Sequence, residues 1–385
     1  MNFLIQFIIM IALAIIFKPK IESQKPPSAD DLEFPTVDET RKIPVIYGTV
    51  KMKSLAVIWA GNDFRYEKME KSGGLFGDDV TLGYRYYISL ACAISFGEIR
   101  LKKVYFKDAV GYEHFDLSSL ETSLFSEGDE EYIIDKKSLF KTESTITPDD
   151  GVAGAFNFFS GTNDQPKSDY IISTFGYNKL PAYKNVSYIV FRDFYFGNSR
   201  VLPQVDVEVE RLPNQVCDGD DYFIEDSNGN KDANPVEIIF DIMTNEEFYG
   251  VSIPAEKIDK ESFKAAGKIL KQENFGLSLI FEGGSSFEDI KKDIEKHVSC
   301  NIFMSYLTGK WTIKLNRQDY DVNTIKTIDI TNIKNINKYT KTEISSLSTE
   351  LKIDYTDRNS DYKKRTLSAK SPTVLRLRGN PKIQD

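Results

Sequence analysis

Residues 158–213 read FFSGTNDQPKSDYIISTFGYNKLPAYKNVSYIVFRDFYFGNSRVLPQVDVEVERLP, and this stretch decides the fold. Gly161-Thr162-Asn163-Asp164, Gly176-Tyr177-Asn178 and Gly197-Asn198-Ser199 tolerate turn dihedrals, while Pro166, Pro181 and Pro203 each stop a helix from running through. The segments between them are expected to be extended. Residues 186–196 are rich in Tyr, Ile, Val and Phe. Val205, Val207 and Val209 alternate with Asp206, Glu208 and Glu210, a two-residue period that sets valines on one face of a strand and carboxylates on the other. The expected product is a half-buried antiparallel edge or sheet face.

Around that stretch lies a chain of 385 residues, long enough for two or three domains. It carries 49 Lys and Arg against 58 Asp and Glu, a net charge of −9, which gives no electrostatic footprint for nucleic acid. Hydrophobic residues make up 41% and aromatics 12%, a composition that folds and favours strands. Cys92, Cys217 and Cys300 are far apart and the histidines are His114 and His297, so the short ligand spacings of a structural zinc site are missing and the thiols read as inert. No G-x-S-x-G, Walker-type loop or H-E-x-x-H is present, and no carboxylate pair stands out for glycoside chemistry. No residue is therefore assigned to catalysis, a cofactor or a metal.

On the N-terminal side, residues 3–17 (FLIQFIIMIALAIIF, from Phe3 to Phe17) are apolar except for Gln6 and stop at Lys18-Pro19-Lys20. As a helix they would be roughly 22 Å long, against a hydrocarbon core of roughly 30 Å. Ala12-Leu13-Ala14 suits a signal peptide, but the basic residues follow the run instead of preceding it. Membrane or secretory targeting, or a helix buried in an oligomer, are the open readings. Residues 21–41 are a Pro- and acid-rich tether. Residues 42–212 form a β-rich domain: paired strands across 43–61, a mobile loop at Gly73, Gly74 and Gly77, a strand buried on both faces over 84–97, and another over 98–107. Glu127-Gly128-Asp129-Glu130-Glu131 reads as a solvated loop.

On the C-terminal side, residues 213–234 read as a linker. Within it Asp226, Asn228, Asn230 and Asp232, with Glu237 in the twelfth place, echo a calcium loop. Lys231 stands where the sharp turn demands Gly, so a plain turn is the reading kept. Residues 235–325 form an α+β unit. A helix begins at Asn234-Pro235 with an apolar stripe of Val236, Ile239, Phe240, Ile242 and Met243, and a second runs from about Asp259. A third is capped by Ser286 with Asp289 in the manner of a capping box, and a hairpin turns at Thr308-Gly309. Residues 326–385 return to β, with strands over 347–355 and 363–369, a sheet too small to be stable alone. The fold class is α+β and β-rich, with barrel-like β domains carrying an inserted α+β domain. Trp59 and Trp311 read as core anchors, and Gly48, Gly161 and Gly176 as turn positions where a Cβ would clash.

One ordered series of short motifs resembles a known family. It begins with Arg41-Lys42-Ile43-Pro44-Val45-Ile46-Tyr47-Gly48, Val57-Ile58-Trp59-Ala60 and the apolar strand over 86–99. Phe159-Ser160-Gly161-Thr162, Gln165-Pro166, Gly176, Leu180-Pro181-Ala182-Tyr183-Lys184 and Tyr188-Ile189-Val190-Phe191 follow. Asn234-Pro235 with Ile238 and Ile239, Phe263-Lys264-Ala265-Ala266 and Tyr355-Thr356-Asp357 complete the series. In this order they resemble the tail-tip (baseplate hub) host-specificity proteins of long-tailed phages and the hub of gene transfer agents. The resemblance implies a virion structural protein that closes the distal end of the tail tube. It implies a homotrimer meeting the tube or distal tail protein, the tape-measure protein and tip or fibre proteins, with no cofactor and DNA only passing through the lumen. Such proteins continue into receptor-reaching modules, so a chain of this length is expected to be a split or truncated copy. A membrane-anchored or exported β-rich binding protein, with contact through residues 3–17, is the alternative.

Overall fold

In the computed structural model, residues 42–384 are described apart from 72–79, 114–130, 144–146, 148, 177–179, 200, 247–249, 283–285, 319, 342, 344–345 and 380–382. The apolar run, the tether, the glycine loop, His114 and Glu127 to Glu130 lie outside the described residues. The chain divides into two compact units between Asn316 and Arg317.

The barrel of the N-terminal unit is built, among the described residues, on the strands β1 (Val45–Met52), β2 (Ala56–Ala60), β3 (Arg65–Lys71), β4 (Val80–Phe96), β5 (Arg100–Phe106), β6 (Ala109–Glu113), β7 (Glu131–Lys136), β8 (Val152–Phe159), β9 (Val186–Tyr195) and β10 (Val205–Arg211). Eight of them follow one path, β6-β5-β10-β1-β4-β9-β8-β7, while β2 and β3 pair with β4. The ends of the path meet through side chains, since Tyr112 of β6 lies 5.5 Å from Tyr132 of β7 and 5.2 Å from Phe156 of β8, ring centre to ring centre. The sheet is a nearly closed barrel, and closure leaves few unpaired margins.

Alternation dictates the barrel's filling. Ile88, Leu90, Cys92 and Ile94 of β4, Ile189 and Phe191 of β9, Val207 and Val209 of β10, and Leu101, Val104 and Phe106 of β5 point inward to one core. The outer faces of β4, β8 and β9 are covered too. Ala91, Phe159, Tyr188 and Val190 pack there under Ile171 and Leu180. Ile171 belongs to a helix, α1 (Asp169–Phe175), inside the stretch expected to be wholly extended. The prolines bound this helix without excluding it. Ser168 caps its first turn by accepting from the Ile171 N–H, and Gly176, at φ +70°, ends it in the left-handed conformation. A Cβ on Gly176 would meet nothing within 4 Å, so its dihedral and not a clash selects glycine.

The expected linker is a packed hairpin, β11 (Phe223–Glu225) and β12 (Lys231–Ala233), with Val216, Phe223, Ile224 and Asn234 buried. It leads into α2 (Pro235–Thr244), α3 (Lys260–Gln272), β13 (Leu279–Phe281), α4 (Phe287–Val298) and the hairpin β14 (Cys300–Met304) with β15 (Trp311–Leu315). The Ser286–Asp289 capping box forms as expected. This α+β part is joined to the barrel and not merely tethered to it: β13 pairs antiparallel with β1, and Val45 and Tyr47 of β1 share one core with α2, α3 and α4. Gly48 makes the junction, since at φ +68° a Cβ there would strike Ser278 Oγ and stand 2.8 Å from the Leu277 carbonyl.

The C-terminal unit contains β16 (Glu350–Asp357), β17 (Lys363–Lys370), α5 (Pro372–Arg378) and β18 (Ile383–Gln384), with strand order β17-β16-β18. Strand structure begins at Glu350; the described residues of 317–349, where the β pattern was expected to return from Thr327, form no strand.

Candidate functional site

The carboxylates of β10 are not on a solvent face. Asp206, Glu208 and Glu210 are buried along with Val207 and Val209, because β10 is an interior strand between β1 and β5 and not an edge. The register sets Lys51 of β1 and Lys103 of β5 opposite Glu208, and Arg100 opposite Glu210. Lys102 reaches Glu210 at 3.2 Å, Tyr105 donates to Glu208 at 3.3 Å, and the Ser54 N–H donates to Asp206 at 2.9 Å. Lys51 lies 4.1 Å from the centre of the Tyr105 ring and pairs with Asp108 at 3.3 Å. The outer wall of the barrel here is a charge-neutralising ladder.

A second polar cluster ties α2 to the barrel. The helix is buried all round instead of along one stripe, and its run includes Glu237 and Asp241, one helical turn apart. Glu237 accepts the backbone N–H groups of Gln215 at 2.8 Å, Val216 at 2.9 Å and Cys217 at 2.6 Å. Asp241 accepts from Tyr47 Oη at 2.7 Å, Arg211 at 2.9 Å and the Gln215 amide at 2.7 Å. Burial weakens the charged form of Arg211, but the Asp241 and Tyr47 neighbours outweigh it and hold the guanidinium's pKa above its ordinary value. The visible signal in the sequence was two acids at i and i+4 within an otherwise apolar run, which requires each to find donors.

Burial, and then the Asp241 charge, push the Tyr47 hydroxyl above its ordinary pKa; burial also raises Tyr188 and Tyr195. Their protons are held in the folded state and released near pH 10 in the unfolded one, so stability is full below about pH 10 and falls above it. Each of the three is expected to remove about 1.4 kcal/mol per pH unit there. In an alkaline titration their tyrosinate absorbance should rise only together with loss of the circular dichroism signal. Smooth ionisation of all 20 tyrosines around pH 10 with the fold intact would refute this.

The residues weighed for metal binding are used otherwise. Asp226 closes the β11–β12 turn by accepting from the N–H of Asn228 at 2.8 Å and of Asn230 at 2.9 Å, while Glu237 faces the Gln215–Cys217 backbone. Among the described residues no group of three or more His, Cys, Asp and Glu side chains converges to hold a metal. Cys92 and Cys300 are buried, and burial followed by Glu237 raises the pKa of the Cys217 thiol. His297 is exposed on α4. Trp59 packs edge-on against Phe175 at 4.9 Å and Trp311 against Phe287 at 6.3 Å, both partly buried. No described helix is long and apolar enough to cross a membrane.

Among the described residues, an exposed apolar sheet surface lies in the C-terminal unit. Leu351, Ile353 and Tyr355 of β16 alternate with Lys352, Asp354 and Thr356, and lie opposite Ala369, Leu367 and Arg365 of β17. Leu351, Ile353, Tyr355 and Leu367 are 44–61% exposed. Among the described residues of this unit only Thr349 is buried. The other face is polar and internally paired, with Thr366 donating to Asp354 and Ser368 to Glu350, each at 2.6 Å.

No protein-family model matches the chain, and no curated protein matches it. Among solved structures it is similar to a chain of the virion of a native gene transfer agent particle, at 14% identity over 96% of this chain and 72% of that one, with a TM-score of 0.45.

Proposed function

We propose that the chain is a structural subunit of a phage or phage-like tail tip, a hub that closes the distal end of the tail tube and joins it to tip or fibre proteins, with no chemistry of its own. The observation that carries this reading is the C-terminal unit, whose described residues hold a regular sheet but no buried apolar cluster. A sheet of that size without a core is marginal by itself and becomes stable only against another surface. The ordered motifs from Arg41 to Asp357 support this identity of the assembly, and Glu237 and Asp241 of the N-terminal unit are engaged in holding the helix to the barrel side. The expected state is a homotrimer in the virion, touching the tube, the tape-measure protein and the tip proteins.

The test is to purify the chain, measure its mass in solution, and mix it with the tail-tube protein of the same genome. Oligomers that co-migrate with tube are expected, and the gene upstream should encode a tape measure. A strict monomer that never binds tube would overturn the proposal.

A further inference from the structure

The chain contains one Asn-Gly dipeptide, Asn228-Gly229, and the fold sets it in the exposed turn between β11 and β12. In such a pair the following backbone nitrogen reaches the asparagine's side-chain carbon most readily, because glycine has no Cβ to block the approach. The space at Gly229 is open: at φ +77° an added Cβ would meet, among the described residues, only Glu225 Oε1 within 4 Å, at 3.7 Å. What restrains the pair is Asp226. Its carbonyl accepts the Gly229 N–H at 3.1 Å, and its own N–H donates to the Asn230 carbonyl at 2.9 Å. Its carboxylate accepts the N–H of Asn228 at 2.8 Å and of Asn230 at 2.9 Å. While the turn is closed, the attacking nitrogen is therefore held toward Asp226.

We propose that Asn228 is a site of spontaneous isoaspartate formation, with the Asp226-bound turn as its brake. When the turn opens, base takes the Gly229 N–H proton and the nitrogen bonds to Asn228 Cγ. The bond from Cγ to the side-chain nitrogen breaks, and that nitrogen takes a proton from water and leaves as ammonia. The succinimide so formed adds water at either carbonyl, opening to aspartate or to isoaspartate. The reaction needs only the chain itself, water and base. Both products put a carboxylate beside Asp226, and isoaspartate adds a methylene to the main chain of the turn. This hairpin is a brace and not a free loop. Phe223 and Ile224 are buried, Thr49 Oγ1 of β1 donates to the Lys231 carbonyl at 2.7 Å, and Ser278 Oγ donates to Asp232. A lengthened turn therefore loosens the hairpin that runs from the barrel side to Asn234, the cap of α2.

The test is to hold the full chain in mildly alkaline buffer and map its peptides over time, with an isoaspartate methyltransferase as the probe of the product. Expected are isoaspartate at residue 228, formed faster than at any other asparagine, and an aged fraction that unfolds at lower denaturant than the fresh chain. Asp226→Ala should speed the reaction about tenfold, the factor for losing two hydrogen bonds of ordinary net strength. Asp226→Asn, which keeps an accepting oxygen, should stay near the original rate. If Asp226→Ala fails to fold, the unaltered chain in guanidinium chloride makes the same comparison, and its Asn228 should react at least about tenfold faster there than in the folded state. An Asn228 that outlasts the other asparagines, or one that reacts equally fast with and without the closed turn, would overturn the proposal. An aged fraction as stable as the fresh chain would overturn the loosening of the hairpin.

Discussion

Asp241→Ala is expected to destabilise the N-terminal unit by about 3–5 kcal/mol, the range for breaking a buried ion pair by removing one member. The Asp241 side chain is 2% exposed and that of Arg211 10%, so the guanidinium left behind cannot recover its lost interactions from water. Three donors lose their acceptor at once: Arg211, the Tyr47 hydroxyl and the Gln215 amide. The Tyr47 ring also lies 4.8 Å from the guanidinium, so the cluster should act as a unit. Pairing Asp241→Ala with Arg211→Met should recover much of the loss, because an apolar side chain of similar length needs no partner there. Denaturant midpoints of the two single variants and the double variant measure the coupling. Additive losses would show that the pair is not a unit.

Phe191→Ala is expected to cost about 3–5 kcal/mol by emptying the centre of the barrel. Phe191 is fully buried, with its ring 5.0 Å from Phe194, 5.3 Å from Phe196 and 6.0 Å from both Phe106 and Phe156. Those neighbours come from β5, β8 and β9 and the residue after β9, and the closed wall restricts how far they can collapse into the space. Ile133→Ser, on β7 and 71% exposed, is the matched control and should change stability by about 0.5 kcal/mol or less. A loss at Phe191 no larger than at Ile133 would mean the barrel interior is loosely filled. Unfolding in denaturant, followed by circular dichroism, compares them directly.

Much of the secondary structure was legible along the chain. The β4 and β9 strands, the Ser286 capping box, the 300–315 hairpin and the β16–β17 pair are local patterns, and each formed within a few residues of its expected place. Misreadings arose where a local signal had two physical outcomes. Gly176 serves a turn or a helix end equally well, and Ser168 with Gly176 made it a helix end. Turn-rich residues 213–234 serve a linker or a packed hairpin, and burial of Phe223 and Ile224 made them the latter. The valine–carboxylate alternation of β10 was read correctly for the inward face, but the outward face has its own covering of charged partners from β1 and β5.

From sequence alone, the period of apolar residues and the placing of Pro, Gly, Ser and Asn determined that the chain is β-rich and where most strands and helices lie. Only the tertiary structure decided that β10 is interior, that β13 joins β1 so that barrel and helices share one unit, and that Glu237 and Asp241 are the buried anchors between them. The reason is physical: side-chain alternation and capping act over a few residues and are written into any short window. Strand neighbours and the partners of a buried charge are set by contacts distant in sequence, 194 residues between Tyr47 and Asp241 and 229 between Thr49 and Ser278, which no local pattern encodes.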